Sequence, residues 1–179
     1  MTLNDPFANL PEVRSFDLVS TDIADGSPLP LAQQSRFFGI EGGADISPQL
    51  SWSNVPRGAR SFTVTMFAPD APTGSGFWHW AVMNIPSSEG SLPTGAGDNE
   101  SSLLPRHAVQ LPNDIRASRY IGAAPDATGL DFRYVFVVSA LDVKQLDIPP
   151  YSTPAYLGFR AAGHVIASDP CHHGECRDS

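Results

Sequence analysis

An acid and an imidazole lie close together near the middle of the chain. Asp70 sits in a loop between Pro69 and the pair Ala71-Pro72, and His79 follows nine residues later between two tryptophans. Proline fixes the backbone φ angle, so such a loop can hold a polar side chain rigidly. His79 could therefore act as a general acid or base, or hydrogen-bond to a ligand. The alternative is a histidine that is simply part of an aromatic core.

A second group of reactive side chains lies at the C-terminal end. The run CHHGEC contains Cys171, His172, His173 and Cys176. Thiols and imidazoles are ligands for zinc or copper, and the two cysteines could instead close a small disulfide loop. Structural zinc sites normally draw their ligands from separate elements, whereas this cluster is purely local. We therefore expect an inert tail and no metal site.

Motifs for cofactor-dependent chemistry are absent from the sequence. The chain has no G-x-G-x-x-G, Walker or H-E-x-x-H motif. Its Gly74-Ser75-Gly76 run is not the G-x-S-x-G of a nucleophile elbow, and a strand rather than a helix is predicted to follow it. We expect no cofactor, and hydride or phosphoryl transfer is disfavoured.

Short strands must position these side chains. Apolar and polar alternation predicts strands at 15–21, 61–67 and 77–85. A short strand is also predicted at 50–52, and a nearly all-apolar run predicts one at 133–141. On a regular strand at 77–85, Trp78 and Trp80 would share the face opposite His79. The apolar segment 133–141 is typical of a central strand covered on both faces. Residues 86–106 are predicted to be a long polar connection.

One helix is predicted late in the chain. It would run over 153–168, with Thr153 as N-cap and Pro154 at the first helical position. Many strands and one helix indicate a mostly-β domain of two packed antiparallel sheets. We expect an N-terminal arm at 1–13, this domain at 14–168 and a loose tail at 169–179.

Charge and hydropathy exclude several classes of protein. The 179 residues carry a formal net charge of −8, which argues against binding nucleic acid or an anionic membrane surface. No segment reaches the ~18–20 apolar residues of a membrane helix. The N-terminus lacks the apolar stretch of a signal peptide, so we expect a cytoplasmic location.

Several ordered motifs match one family. The chain resembles the phosphatidylethanolamine-binding protein family, especially its bacterial, Raf-kinase-inhibitor-like members. The motifs are APDAP at 68–72, GFWHW at 76–80 and NIP at 84–86, supported by GADISP at 43–48, YIG at 120–122 and STPAYLGF at 152–159. The resemblance runs from about residue 15 to residue 168.

The resemblance implies a β-sandwich with a small anion-accepting pocket at one end. Carried over to this chain, the pocket residues are Asp70, Ala71, Pro72, His79, Gly122, Pro125, Phe132 and Tyr134. It also implies a homodimer, since bacterial relatives often pair. Two family positions differ, because Ala68 replaces an acid and Phe132 replaces a histidine. These changes make the expected pocket more apolar. An uncharged organic ligand is therefore an alternative to the anionic one.

Three functions fit this pattern. The first is a binding module that holds a small molecule or anion. The second is an enzyme for isomerisation, dehydration or cyclisation, in which His79 is the general acid or base, Asp70 orients it and Tyr134 donates to a developing oxyanion. The third is a protein-interaction regulator. In each case Arg133 is expected to pair with a carboxylate, either Asp45 or Asp70.

Overall fold

Two antiparallel sheets and a short helix make up the fold. The computed structural model describes residues 10–124 and 132–173, with side chains as far as residue 169. The elements in chain order are β1 (Asp17–Val19), a 3-10 turn (Leu31–Gln33), β2 (Leu50–Ser53), β3 (Ser61–Ala68), β4 (Phe77–Pro86), β5 (Ser91–Leu92), β6 (Val109–Gln110), β7 (Tyr134–Leu141), α1 (Pro154–Ala161) and β8 (Val165–His173).

The main core lies between the two sheets. The larger sheet has the order β6-β4-β3-β7-β8 and the smaller has the order β1-β2-β5. Their facing side chains form one apolar cluster, in which the Trp52 ring lies 5.2 Å from the Phe62 ring. A second cluster covers the outer face of the large sheet, where Leu157 and Ala161 of α1 pack with Ala81 and Met83 of β4. The predicted fold class is confirmed.

The strand predictions hold for the central elements. Strands β3, β4 and β7 begin and end within about a residue of their predicted limits. Strand β7 lies between β3 and β8 and is buried along most of its length, as expected of a central strand covered on both faces. The predicted connection at 86–106 contains one strand, β5, which has only two residues and pairs with β2.

The predicted helix is too long. Thr153 caps α1 as expected, since its hydroxyl accepts a hydrogen bond from the Tyr156 amide at 3.2 Å. The helix nevertheless ends at Ala161, just before Gly163, and Val165 begins β8. The apolar spacing that suggested a continuing helix belongs instead to a strand whose backbone pairs with β7 along nearly its whole length.

The predicted loose tail is also wrong over part of its length. Residues 169–173 continue β8 and pair with β7 as far as Tyr134. Residues 174–179 lie outside the described part of the chain, as do residues 1–9 of the expected arm. Within the described ranges, no helix is long and apolar enough to cross a membrane.

Candidate functional site

A β-bulge in β4 sets the direction of His79. Phe67 of β3 pairs with Trp78, and the next residue, Met66, pairs with Trp80, so His79 is an extra residue on β4. Trp78 consequently packs against Phe67, while Trp80 joins the core with Met66. The two tryptophans therefore lie on opposite faces, and the prediction that they share a face is wrong because it assumed unbroken alternation.

His79 lies among aromatic rings and is almost completely buried, with 4% exposed. Its ring centroid is 4.7 Å from that of Phe77 and 5.3 Å from that of Tyr134. Burial lowers the pKa of His79 from 6.5 to about 4, against the opposing effects of the Ile121 and Gly122 backbone and the charge of Asp45. The imidazole is therefore uncharged at neutral pH.

The two ring nitrogens of His79 have different roles. Nδ1 lies 3.1 Å from the Ile121 carbonyl oxygen. A carbonyl can only accept, so Nδ1 carries the hydrogen and Nε2 presents a lone pair. Within the described chain Nε2 makes no hydrogen bond. It is therefore the ring nitrogen left to accept one from a ligand.

Asp45 fixes the backbone segment that holds His79. One carboxylate oxygen accepts from the Gly122 amide at 2.7 Å and the other from the Phe37 amide at 3.0 Å. Both partners of Asp45 lie in other segments of the chain, and Gly122 is 77 residues away in sequence. The Asp45 backbone adopts a positive φ of 53°, which aspartate tolerates better than most residues.

Gly122 is required by close backbone contact. A Cβ at this position would lie 2.3 Å from the Gln34 carbonyl carbon and 2.6 Å from the Ser35 nitrogen. The absence of a side chain lets the strand-like segments around Gln34 and Ala123 form a parallel bridge. This packing places the Ile121 carbonyl where His79 can donate to it.

Asp70 is occupied by Arg133, which confirms one of the two predicted pairings. Nε and Nη2 of Arg133 donate to the two carboxylate oxygens at 2.7 Å each, and the Arg133 amide donates at 3.0 Å. These hydrogen bonds lower the pKa of Asp70, while partial burial opposes them. Asp70 therefore does not orient His79, whose Nδ1 is bound to Ile121, and the expected acid–base pair is not formed.

The start of β7 contacts both Asp70 and His79. Arg133 binds Asp70, and the next residue, Tyr134, contacts the His79 ring. Phe132 and Tyr134 are buried, Ala71 is half-buried and Pro72 is exposed. Pro125 lies outside the described residues.

Two aromatic residues, Phe77 and Phe38, were not among the site residues predicted from the sequence. Phe38 is 42% exposed and its ring lies 6.0 Å from Phe77, which in turn contacts His79. The series of rings thus extends from the surface to the buried imidazole. The adjacent pair Phe37-Phe38 in a polar, turn-rich segment was the available signal, because large apolar residues are unusual there.

The described residues contain no group of three or more side chains suited to a metal ion. The hypothesis for the CHHGEC tail is not tested by this observation. The side chains of Cys171, His172 and His173 and the whole of Cys176 lie outside what the structure describes.

Sequence comparisons with known proteins match the chain to one family. A sequence model of the family described as phosphatidylethanolamine-binding protein matches residues 19–173. UPF0098 protein YbhB of Escherichia coli (strain K12) is 41% identical over 151 residues, which cover 84% of this chain and 94% of YbhB. UPF0098 protein YbcL of the same organism is 39% identical over 157 residues, covering 88% of this chain and 85% of YbcL.

Solved structures agree with the sequence comparisons. The crystal structure of E. coli YbcL, described as a member of the mammalian PEBP family, superposes with a TM-score of 0.87 and 36% identity. That match covers 92% of this chain and 99% of the YbcL chain. A PEBP homologue from Chlamydia trachomatis matches with a TM-score of 0.75 and 28% identity, over 92% of this chain and 99% of the other.

Proposed function

Because the chain belongs to the phosphatidylethanolamine-binding protein family, we propose that it binds a small molecule at the site around His79 and Asp70. Family membership supports ligand binding in general. The observation that carries the proposal is the state of His79. His79 is an uncharged imidazole with one nitrogen bound to the backbone, and its other nitrogen makes no hydrogen bond within the described chain.

The same observation defines what the ligand must offer. Nε2 presents a lone pair, so the ligand group that meets it must donate a hydrogen bond. A hydroxyl, an ammonium group or the P–O–H of a singly charged phosphate ester meets this requirement. A fully ionised phosphate does not, unless binding also adds a proton to His79.

Apolar surroundings favour a ligand with an organic portion. Phe77 and Tyr134 flank the imidazole, and Ala68 and Phe132 occupy two positions that are polar in the family. Arg133 lies between Phe132 and Tyr134 in the chain, and Asp70 holds its guanidinium group in a bidentate pair. An uncharged ligand, or one of low charge, therefore suits the site better than a dianion.

Binding is favoured over acid–base catalysis. The enzyme expected from the sequence relies on Asp70 to orient His79, and Asp70 is bound to Arg133 instead. A pKa of about 4 also makes the His79 imidazole a weak base at neutral pH. A regulatory role would rest on the fold alone, which is weak support for any function. The homodimer and the cytoplasmic location stay predictions.

Calorimetric titration tests this proposal. The probes are inorganic phosphate, phosphoethanolamine and a set of neutral alcohols and phenols, titrated into the wild type, His79→Asn and His164→Asn. Asparagine keeps a donor near the Nδ1 position but lacks Nε2, and His164 is a surface histidine beside Asp142. We expect at least one probe to bind the wild type and His164→Asn, and to bind His79→Asn about ten-fold more weakly or not at all. Equal binding to all three proteins, or no binding of any probe, would contradict the proposal.

A further inference from the structure

A cleft separate from the His79 site combines two arginines with two aspartates. Its volume is about 380 Å³, and Arg36, Arg119, Asp45, Asp98 and Phe37 contribute to its walls. None of these residues belongs to the set predicted for the His79 site. Asp45, whose carboxylate holds Gly122, also lines this cleft.

The two arginines have unused hydrogen-bonding capacity. Among the described residues no carboxylate lies within 4.0 Å of either guanidinium group, since the ion pairs there are Arg133–Asp70 and His164–Asp142. The Arg36 guanidinium makes no hydrogen bond within this part of the chain. That of Arg119 makes one long bond, 3.5 Å from Nη1 to the Tyr120 carbonyl oxygen.

The two aspartates differ in what they can still bind. Both oxygens of Asp45 already accept backbone N–H groups. Asp98 accepts through Oδ1 alone, from the Ser47 amide at 3.1 Å, and its Oδ2 has no partner within the described chain. Asp98 is half-buried beside Arg119 rather than bonded to it. The cleft therefore offers two guanidinium groups with unused N–H donors and one carboxylate oxygen without a partner in the described chain.

We propose that this cleft binds a small zwitterion, namely an α-amino acid with an apolar side chain. The amino-acid carboxylate pairs with Arg36 and Arg119, because guanidinium groups match the planar geometry of a carboxylate. The ammonium group donates to Asp98. The side chain lies on the ring of Phe37, which is 58% exposed.

Charge balance favours a zwitterion over a simple anion. The cleft side chains carry two positive and two negative charges, and the chain as a whole carries a net charge of −8. An anion is repelled at long range by that net charge, whereas a zwitterion with no net charge is not. A ligand that bears both signs also satisfies the free groups of both kinds.

Three matched probes separate these possibilities. L-phenylalanine carries both charged groups, 3-phenylpropionate lacks the ammonium group, and phenethylamine lacks the carboxylate. Titration calorimetry of the full chain should show saturable binding of L-phenylalanine and about ten-fold weaker binding of the other two. Arg36→Gln and Arg119→Gln should each weaken L-phenylalanine binding by about ten-fold. Asp98→Asn should weaken L-phenylalanine binding and strengthen that of 3-phenylpropionate.

Two controls identify the site. Arg57 is an exposed arginine that lines a different cleft beside Trp52, so Arg57→Gln should leave binding unchanged. His79→Asn should also leave it unchanged, which separates this site from the one proposed above. No saturable binding of L-phenylalanine would overturn the proposal. So would equal affinity for 3-phenylpropionate, or binding that survives in Arg36→Gln and Arg119→Gln when thermal melting shows both variants to be folded.

Discussion

Lowering the pH should destabilise the protein through His79. The unfolded chain takes up a proton on this residue as the pH falls through 6.5, whereas the folded protein does not do so until about pH 4. The unfolded state therefore binds more protons within this range. The stability that depends on an uncharged His79 is complete above pH 6.5 and is lost as the pH falls towards 4.

The size of this effect follows from the two pKa values. The interval between 6.5 and about 4 corresponds to about 3 kcal/mol, at about 1.4 kcal/mol for each pH unit. Most of it should be lost by about pH 4.5, before the majority of ordinary carboxyl groups titrate. The loss is large, because a domain of this size is stabilised by about 5–15 kcal/mol in total.

Urea unfolding of the wild type and His79→Asn measures the effect. The free energy of unfolding is determined at steps from neutral pH down to about pH 4.5. We expect the wild type to lose about 2–3 kcal/mol more than the variant over this range. His164→Asn removes an exposed imidazole and controls for the loss of one histidine. Its unfolding free energy should fall with pH as that of the wild type does, and therefore by more than that of His79→Asn. Parallel pH profiles for the wild type and His79→Asn would refute the conclusion that His79 is held uncharged by burial.

Two further substitutions test contacts of the site, and a third tests the helix α1. Asp70→Asn should cost about 1–2 kcal/mol of unfolding free energy, because it removes a half-buried bidentate partner of Arg133; urea unfolding at neutral pH measures it, and an unchanged midpoint would contradict the role given to the pair. Gly122→Ala should cost several kcal/mol or prevent folding, because its Cβ would lie 2.3 Å from the Gln34 carbonyl carbon; a soluble variant with wild-type melting temperature would show that this contact is not tight. Gly158→Ala should stabilise by about 0.5–1 kcal/mol, because the residue lies in α1 and its Cβ would meet nothing within 4 Å; thermal melting measures it, and a lower melting temperature would contradict the assignment.

The sequence predicted those elements whose patterns are local. Alternation was enough for β3 and a nearly continuous apolar run for β7, and the capping residues Thr153 and Pro154 were enough for the start of α1. The end of that helix was not predictable in the same way. Leu157, Ala161 and Val165 fit a helical period, and only pairing with β7 shows that Val165 begins a strand.

The site was predicted as a set of residues but not as an arrangement. The motifs at 68–72 and 76–80 located Asp70 and His79, and Arg133 was assigned a choice of two carboxylates. The bulge at His79 depends on the register between β3 and β4, which alternation within one strand does not reveal. The bond from Gly122 to Asp45 joins residues far apart in the chain and has no local signature.

The protonation state of His79 decides what the site can bind, and nitrogen NMR of the imidazole measures that state directly. In ¹⁵N-labelled protein at neutral pH, we expect a protonated Nδ1 and an unprotonated Nε2, with no change until the pH approaches about 4. Addition of a probe that binds in the calorimetric experiment should then shift the Nε2 resonance while Nδ1 keeps its hydrogen. A charged imidazole at neutral pH, a hydrogen on Nε2, or an Nε2 resonance that no bound probe affects would contradict it.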